Sequence, residues 1–497
     1  MYWQMQRNMY FETYGDVTVA AVEEDGKLAE FHVQENTGKE VAGDIYKGRV
    51  VTVLEGMQAA FVAFGKEKNG YLYAGNIPEM YGAEKSGGVF RVKEGDEVMV
   101  QVAKPAIGSK GARLTMDISI VGKNVILLPG GDFCSVSRKI GEGEERDAML
   151  AAARKLSNGN GIVLRTQARD AKFAVLRDET KILEKIYADV LAKYRTGAVG
   201  DCLYREADLP VRLLRDFDLS CLGRICVGDG ETAAQLERVF ARSKTGLRSK
   251  LVLYSGEREM FDFYGLREQV SQLFEKRVPL ENGAYLVIDR TEALTAVDVN
   301  TGHYTGETAL EDTVFRTNIL AARETARQVR LRGIGGIIVV DFIDMASAEH
   351  RAAVTAELEL ALTEDRVKCS VSSMTEFGLV QFTRKKVKRD NMSLMTKPCP
   401  HCNGTGEVLS PVFQMYRILT SIRRYFSEGY RNVIVEMNAE VFAEIVTTGK
   451  LMAALQKPFA GRRVYMIPHK TFPEGKFTIR GDNNAVLTLP ETARLLY

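Results

Sequence analysis

Two phrases of the chain, Leu294-Thr-Ala-Val-Asp-Val-Asn300 and Gly335-Gly-Ile-Ile-Val-Val-Asp-Phe-Ile-Asp344, have the apolar spacing of strands that end in carboxylates. Successive strand side chains face opposite sides, so Leu294, Ala296, Asp298 and Asn300 share one face, and Thr295, Val297 and Val299 the other. Ile337 to Val340 is continuously apolar, as in a strand buried on both faces, and Asp341 stands where that run stops. Between the phrases Phe315, Ile319, Ala322, Ala326 and Val329 recur at steps of four and three, which predicts an amphipathic helix from Glu307 to Arg332 ending at Gly333. Strand, helix, strand is a crossover, and a crossover sets neighbouring strand ends together. Asp298 and Asp341, with the neutral amide of Asn300 beside one of them, would make a hard-oxygen site for magnesium or manganese, suited to phosphoryl transfer. The plain alternative is that one aspartate caps the helix and the other is a turn residue.

The same reading covers most of the chain. Val17 to Val22 and Leu28 to Phe31, broken by Asp25-Gly26, predict a hairpin within Tyr10 to Val33. Gly43 to Val53, Ala59 to Phe64, Asn69 to Tyr73, Gly95 to Val102 and Ala112 to Thr115 predict five short strands, a count suited to a small barrel. This stretch looks like an RNA-binding OB fold of the ribosomal S-one type. In such folds aromatic rings stack on bases while cations hold the backbone, and Phe61, Tyr71, Lys110 and Arg113 are the candidates. Strands are expected at Asn124 to Leu128 and Gly161 to Thr166, with a helix at Glu144 to Leu156. Further on, helices at Pro210 to Arg215 and Thr232 to Val239 alternate with strands at Arg224 to Gly228 and Lys250 to Tyr254. The last part carries helices near Val412 to Ser427 and Glu440 to Leu455 and strands at Asn432 to Val435 and Arg463 to Ile467.

Composition narrows the class. With 497 residues, 45% hydrophobic and 27% charged, the chain can bury several cores, about three or four domains by length. No run approaches the ~20 apolar residues of a membrane span, and the N-terminus lacks a basic region followed by an apolar one, so the cytoplasm is expected. A formal net charge of +2 says nothing about nucleic acid. The local runs Arg384 to Arg389 and Arg462-Arg463 are candidates for phosphate contact or simply solvated faces. Seven cysteines fit a reducing compartment, and Cys134, Cys202, Cys221, Cys226 and Cys369 read as small buried hydrophobes. Cys399-Pro-His-Cys402 differs. A thioredoxin-type motif needs a helix starting within it, which Asn403-Gly-Thr-Gly406 would break, so the two thiolates look like half of a tetrahedral zinc site. The other half could come from Cys221 and Cys226 or from the same motif in a second subunit.

Asp298-Val-Asn300, Thr317-Asn318, Arg327-Gln-Val-Arg-Leu-Arg332, Gly335-Gly336 and Val340-Asp-Phe-Ile-Asp-Met345 together resemble the ribonuclease E/G family of single-strand-specific bacterial endoribonucleases. The resemblance extends over essentially the full chain. It implies a multidomain α/β and α+β chain: a ribonuclease-H-like domain (residues 1–37 and 208–277) interrupted by the OB-fold barrel (38–118) and a 5′ sensor domain (119–207). A nuclease-I-like catalytic domain (278–396), a zinc link (397–407) and a small α/β domain (408–497) would follow. It makes Asp298 and Asp341 ligands of catalytic Mg²⁺, with Asn300 positioning them. It assigns Arg165 and Thr166, with backbone near Gly122 and Ile126, to a 5′-terminal monophosphate. The family's third cation there is usually an arginine, and here Lys368 takes its place, which keeps charge but loses the bidentate fork. Arg138 and Lys139 would help place the RNA backbone near the metal. The zinc would be shared by Cys399 and Cys402 of two subunits in a homodimer or a tetramer.

The expected function is therefore a Mg²⁺-dependent endoribonuclease acting on A/U-rich single-stranded RNA. It would leave 5′-phosphate and 3′-hydroxyl ends and serve ribosomal RNA processing and messenger RNA decay. Because the sequence stops at Tyr497, without the long scaffold tail usual in ribonuclease E proteins, the ribonuclease G type is expected. A non-catalytic RNA-binding scaffold and a metal-dependent DNase are the competing classes.

Overall fold

The computed structural model describes residues 6–36, 40–77, 92–106, 110–242, 246–302, 310–386, 391–402, 404–448, 461–473 and 475–495. The chain divides into two compact units, Met1–Leu394 and Met395–Tyr497.

In the first unit the N-terminal hairpin proves to be a three-stranded antiparallel meander, Arg7–Tyr14, Val17–Glu24 and Lys27–Glu35. Arg7–Tyr14 is so fully buried that it shows no alternation, which hid it as a strand. It pairs in parallel with Leu222–Val227, which in turn pairs with Leu251–Leu253, so segments some two hundred residues apart share one five-stranded sheet. Met9, Phe11, Val22, Leu213, Ile225 and Leu236 form its core.

The interrupting segment holds two further sheets. Ile45–Leu54, Ala59–Ala63, Gly70–Tyr73, Arg113–Thr115 and Glu97–Lys104 follow one another around a ring, which closes where Ile45–Leu54 also pairs with Glu97–Lys104. Closure pairs each of these five strands on both sides along part of its length. Cys202–Tyr204, far along the chain, adds to Ile45–Leu54 as a sixth strand. Next comes a four-stranded sheet in which Gly161–Leu164 lies between Cys134–Val136 and Val125–Leu128. The helix Glu144–Leu156 packs on this sheet as expected, and so does Phe173–Thr196, a helix the sequence pattern did not reveal. Its inward stripe, Leu176, Thr180, Leu183 and Val190, is thin, and exposed Phe173, Val175 and Ile182 blur it.

A six-stranded sheet carries both carboxylate-ending phrases. Leu294–Asn300 and Gly336–Asp341 run parallel at its centre, flanked by Tyr285–Arg290 and Leu379–Arg384, with Arg277–Pro279 and Cys369–Val371 at the edges. The helices Leu310–Arg332 and Ala348–Thr363 bury one face through Ala322, Ala326, Val329, Val354 and Leu358. The expected helix start at Glu307 lies outside the described residues. Three arginines near the end of the first helix tie it to its surroundings rather than to phosphate: Arg327 donates to the Leu28 carbonyl, Arg330 to the Ala29 carbonyl and the Glu24 carboxylate, and Arg332 to the Glu275 carbonyl.

Two sequence expectations are corrected. Arg384 is buried and paired with Asp365 at 2.6 Å, so it is no surface phosphate contact; residues 387–389 of that basic run lie outside the described residues. Of the five cysteines expected to be buried, only Cys226 is; Cys134, Cys202, Cys221 and Cys369 are half-buried.

In the second unit Phe477–Asp482, Asn432–Asn438, Arg463–His469 and Arg494–Leu495 form a four-stranded sheet packed by Pro411–Ser427 and Ala439–Thr448 around Ile418, Ile422, Phe426, Val435 and Met466. The first of these helices starts where Ser410 caps the Phe413 amide and Pro411 pre-sets the first turn. The predicted continuation of the second to Leu455 lies outside the described residues. Arg462 donates to the Phe426 carbonyl, while Arg463 is exposed.

Candidate active site

The parallel register of the central strands pairs Leu294 with Ile337 and ends by setting Asp298 directly beside Asp341. Directly paired residues on neighbouring strands present their side chains to the same face. That face is the open one: along Leu294–Asn300 the odd-numbered Thr295, Val297 and Val299 are buried, while Ala296 and Asp298 are exposed and Asn300 is half-buried. The Asn300 amide donates to Asp298 Oδ2 at 2.7 Å, which fixes the carboxylate's rotation and leaves its other oxygen outward.

Desolvation pushes the Asp341 carboxyl above its ordinary range, and the nearby Asp298 and Asp344 push it further the same way. A carboxyl pushed up by two neighbouring carboxylates marks a site short of positive charge, which a divalent cation would supply. Among the described residues no group of three or more His, Cys, Asp or Glu side chains is arranged to hold a metal. Magnesium fits nonetheless, because it keeps several waters and needs only one or two carboxylates.

Asp344, which closes the second carboxylate-ending phrase, and Asn318, to which the sequence alone gives no role, both bear on this site. Asn318 is fully buried on the inward face of Leu310–Arg332, donates to the Ile343 carbonyl at 2.8 Å and accepts from the Ile343 amide at 3.1 Å. Its signal in the sequence is an amide standing among the apolar positions of an amphipathic helix. On the same helix Glu311 accepts from the amides of Ala346 and Ser347, so the turn after Asp341 is held at two points.

On the barrel, Phe61 and Tyr71 are register partners with their rings edge-to-face at 6.2 Å, and Tyr71 is in turn the partner of Arg113. Ala60, Val62, Leu72 and Leu114 point into the core, so the two rings and the guanidinium form an outward row across three strands. Lys110 is exposed just before Arg113.

Of the residues assigned to a phosphate sensor, Gly122, Ile126, Arg165 and Thr166 lie on or beside the four-stranded sheet. The Gly161 strand stops at Leu164. Arg165 donates to the Gly122 carbonyl at 2.7 Å and to Asp216 Oδ1 at 2.8 Å, so two of its donors are occupied. A Cβ at Gly122 would stand 2.9 Å from the Val125 carbonyl and 2.2 Å from Glu179 Oε1, so a larger residue there would press on backbone. Thr166 shares a hydrogen bond with Ser137, and Ile126 is half-buried in the middle of its strand. Arg138 is exposed, but Lys139 Nζ donates to the Asp365 carbonyl at 2.7 Å and so braces the turn leading to the exposed Lys368.

In the second unit Cys402 Sγ accepts from the Gly406 amide at 3.2 Å, and this amide, with that of Gly404, lowers its pKa toward the thiolate that a metal requires. Cys226, by contrast, is fully buried, hydrogen-bonded to Tyr264 and pushed upward by desolvation.

Comparison with known proteins matches residues 119–387 to the ribonuclease E/G family. The chain is 36% identical to ribonuclease G of Haemophilus influenzae over 93% of its own length and 96% of that protein's. It is 37% identical to ribonuclease G of Escherichia coli K12 over 82% and 85%. To ribonuclease E of the same strain it is 32% identical over 81% of this chain but only 39% of that longer protein. The carboxylate pair at the open sheet face thus stands in a chain that belongs to the ribonuclease E/G family and is an endoribonuclease, a hydrolase.

Proposed function

We propose that the protein is a Mg²⁺-dependent, single-strand-specific endoribonuclease of the ribonuclease G type. The observation that carries this is the register pairing of Asp298 with Asp341 on an open sheet face. Similarity to ribonuclease G proteins along most of the chain supports the type. The reading divides the chain as the sequence suggests, with a ribonuclease-H-like part, an OB barrel, a sensor domain, a catalytic domain, a zinc link and a small domain.

Asp298 and Asp341 would hold the metal, which supplies Lewis-acid polarisation of the scissile phosphate and a water poised toward hydroxide. Asn300 holds Asp298 in one rotation. Asn318 and Glu311 hold the turn after Asp341, so the carboxylates do not have to reorganise when the phosphate arrives. Phe61, Tyr71 and Arg113 offer an unpaired strand two stacking surfaces and a charge. Arg165, Thr166 and Lys368, with the backbone near Gly122 and Ile126, would read a 5′-monophosphate. Cleavage of A/U-rich segments to 5′-phosphate and 3′-hydroxyl ends, in ribosomal RNA processing and messenger RNA decay, completes the reading, with the cytoplasm as its place. No described helix is long and apolar enough to cross a membrane.

The test is direct. Asp298→Asn and Asp341→Asn should each abolish Mg²⁺-dependent cutting of a labelled single-stranded RNA while leaving its binding nearly unchanged. Cutting at wild-type rates in both variants would remove the assignment, and equal cutting of the DNA counterpart by the wild type would point to a DNase.

A further inference from the structure

In the turn that enters the strand beside Asp341 stands a ring that stacks on no aromatic or cationic side chain among the described residues. Phe377 is 79% exposed, among the highest values for a large apolar side chain in the described residues. It stands in the turn that leads into Leu379–Arg384, and Leu379 is the register partner of Asp341.

The turn is braced from several sides. The Gly378 amide donates to the Thr375 carbonyl, and the Thr375 amide donates to the Leu379 carbonyl at 2.8 Å; the Leu379 amide donates back to Thr375 Oγ1 at 3.1 Å. Gly378 has φ +74°, and a Cβ there would stand 3.2 Å from the Phe342 carbonyl and 3.5 Å from Asp344 Oδ1. The Phe342 amide, next after Asp341, donates to the Gly378 carbonyl at 3.4 Å. Phe377 is therefore carried on backbone that is bonded to the residue after Asp341 and lies against Asp344.

Leaving a phenyl ring in water forgoes its burial energy, and at 79% exposure Phe377 makes little use of the core behind it. An endoribonuclease must hold an unpaired strand across its reacting site, and each base of that strand offers a flat apolar face. We propose that Phe377 is the stacking platform for a base flanking the scissile phosphate, and so fixes which phosphate lies over Asp298 and Asp341. It is a positioning residue, distinct from the barrel row of Phe61 and Tyr71. The inference rests on the carboxylate assignment above.

The experiment compares Phe377→Ala, Phe377→Leu and Phe377→Trp on a short A/U-rich single-stranded RNA, and on the same RNA with an abasic site placed in turn at each position around the cut. Losing a base–aromatic stack should raise KM by about 5- to 50-fold in the Ala and Leu variants and spread the cutting over neighbouring phosphates, while Trp keeps both. In the wild type one abasic position should reproduce the loss, and Phe377→Ala should be indifferent to that position. Thermal stability should not change, since the ring is solvated. Unaltered KM and cut position in Phe377→Ala, or the same abasic penalty in variant and wild type, would overturn the inference. So would a shift in sedimentation with cleavage unaffected, which would make the ring a protein contact. The Asp298→Asn variant run in parallel separates the two levels: if it still cuts, the carboxylate assignment has failed; if it does not and Phe377→Ala is silent, only the stacking role has.

Discussion

Asn318 grips both backbone groups of Ile343, donating to its carbonyl at 2.8 Å and accepting from its amide at 3.1 Å, from a fully buried position in the helix behind the sheet. Ile343 lies between Asp341 and Asp344, so a side chain that touches neither carboxylate sets the course of the segment bearing both. Asn318→Ala should leave a buried amide and carbonyl unpaired and cost about 2–3 kcal/mol in stability. Misplaced ligands should also lower kcat by about 10- to 100-fold and raise the Mg²⁺ concentration needed for half-maximal cutting. Urea unfolding and a Mg²⁺ titration measure the two effects separately.

Among the described residues Asn300 bonds through its side chain to Asp298, on the open face. Asn300→Ala removes no buried contact, so its stability should stay within about 0.5 kcal/mol of wild type. Its activity should fall by about tenfold or more and recover in part at high Mg²⁺, because the carboxylate remains but turns freely. Loss of activity that no Mg²⁺ concentration restores would mean that Asn300 meets the substrate itself.

Glu30 gives a pH dependence whose sign can be worked out. Burial alone would raise its pKa, but Arg366 at 2.7 Å, then His32 at 2.8 Å and Arg330 nearby outweigh it and hold the carboxyl well below the usual range. A carboxyl depressed in the folded state adds stability that is fully present above its unfolded pKa of about 4.3 and is lost as pH falls through the folded value. Glu30→Gln should therefore be destabilised at neutral pH by about 2–3 kcal/mol, the lower end for a buried pair because Arg366 is partly solvated. That gap should shrink as pH drops below about 4. Denaturation midpoints across this range check the prediction, and a gap constant with pH would rule out the ionised carboxylate as its source.

Arg165 is tied to Asp216 and the Gly122 carbonyl, so a 5′-phosphate would have to use its remaining donors or displace Asp216. Arg165→Ala should erase any rate advantage of 5′-monophosphate over 5′-hydroxyl RNA without abolishing cutting of the latter. It should also cost about 1–3 kcal/mol, since Asp216 loses a half-buried charged partner. Identical wild-type rates on the two RNAs would remove the sensor role and leave the ion pair as purely structural.

Cys399 and Cys402 offer two thiolates where a structural zinc takes four ligands. Metal analysis should find about one zinc per two chains by this ligand count. Cys399→Ser with Cys402→Ser should lose it and shift sedimentation toward the monomer. One zinc per chain would favour an intrachain site, against which the burial and raised pKa of Cys226 already weigh.

What the sequence determined by itself was whatever repeats locally. The steps of four and three from Phe315 to Val329 and the alternation from Leu294 to Asn300 are properties of single elements, and both elements stand where the pattern places them. The carboxylate pair was legible for the same reason: strand alternation fixes the face, and a crossover fixes the neighbour. Where local periodicity was missing, legibility ended. Arg7–Tyr14, buried on both faces, and Phe173–Thr196, with its thin inward stripe, gave no readable period. Only the tertiary structure could decide how long polar side chains are used, because their partners lie far away in the chain. It spends Arg384 on Asp365, Arg165 on Asp216, and Lys139 on the carbonyl of Asp365. It also seats Asn318 behind Ile343 and leaves Phe377 bare beside Asp344, since what a side chain meets is set by packing between elements and not by its neighbours in sequence.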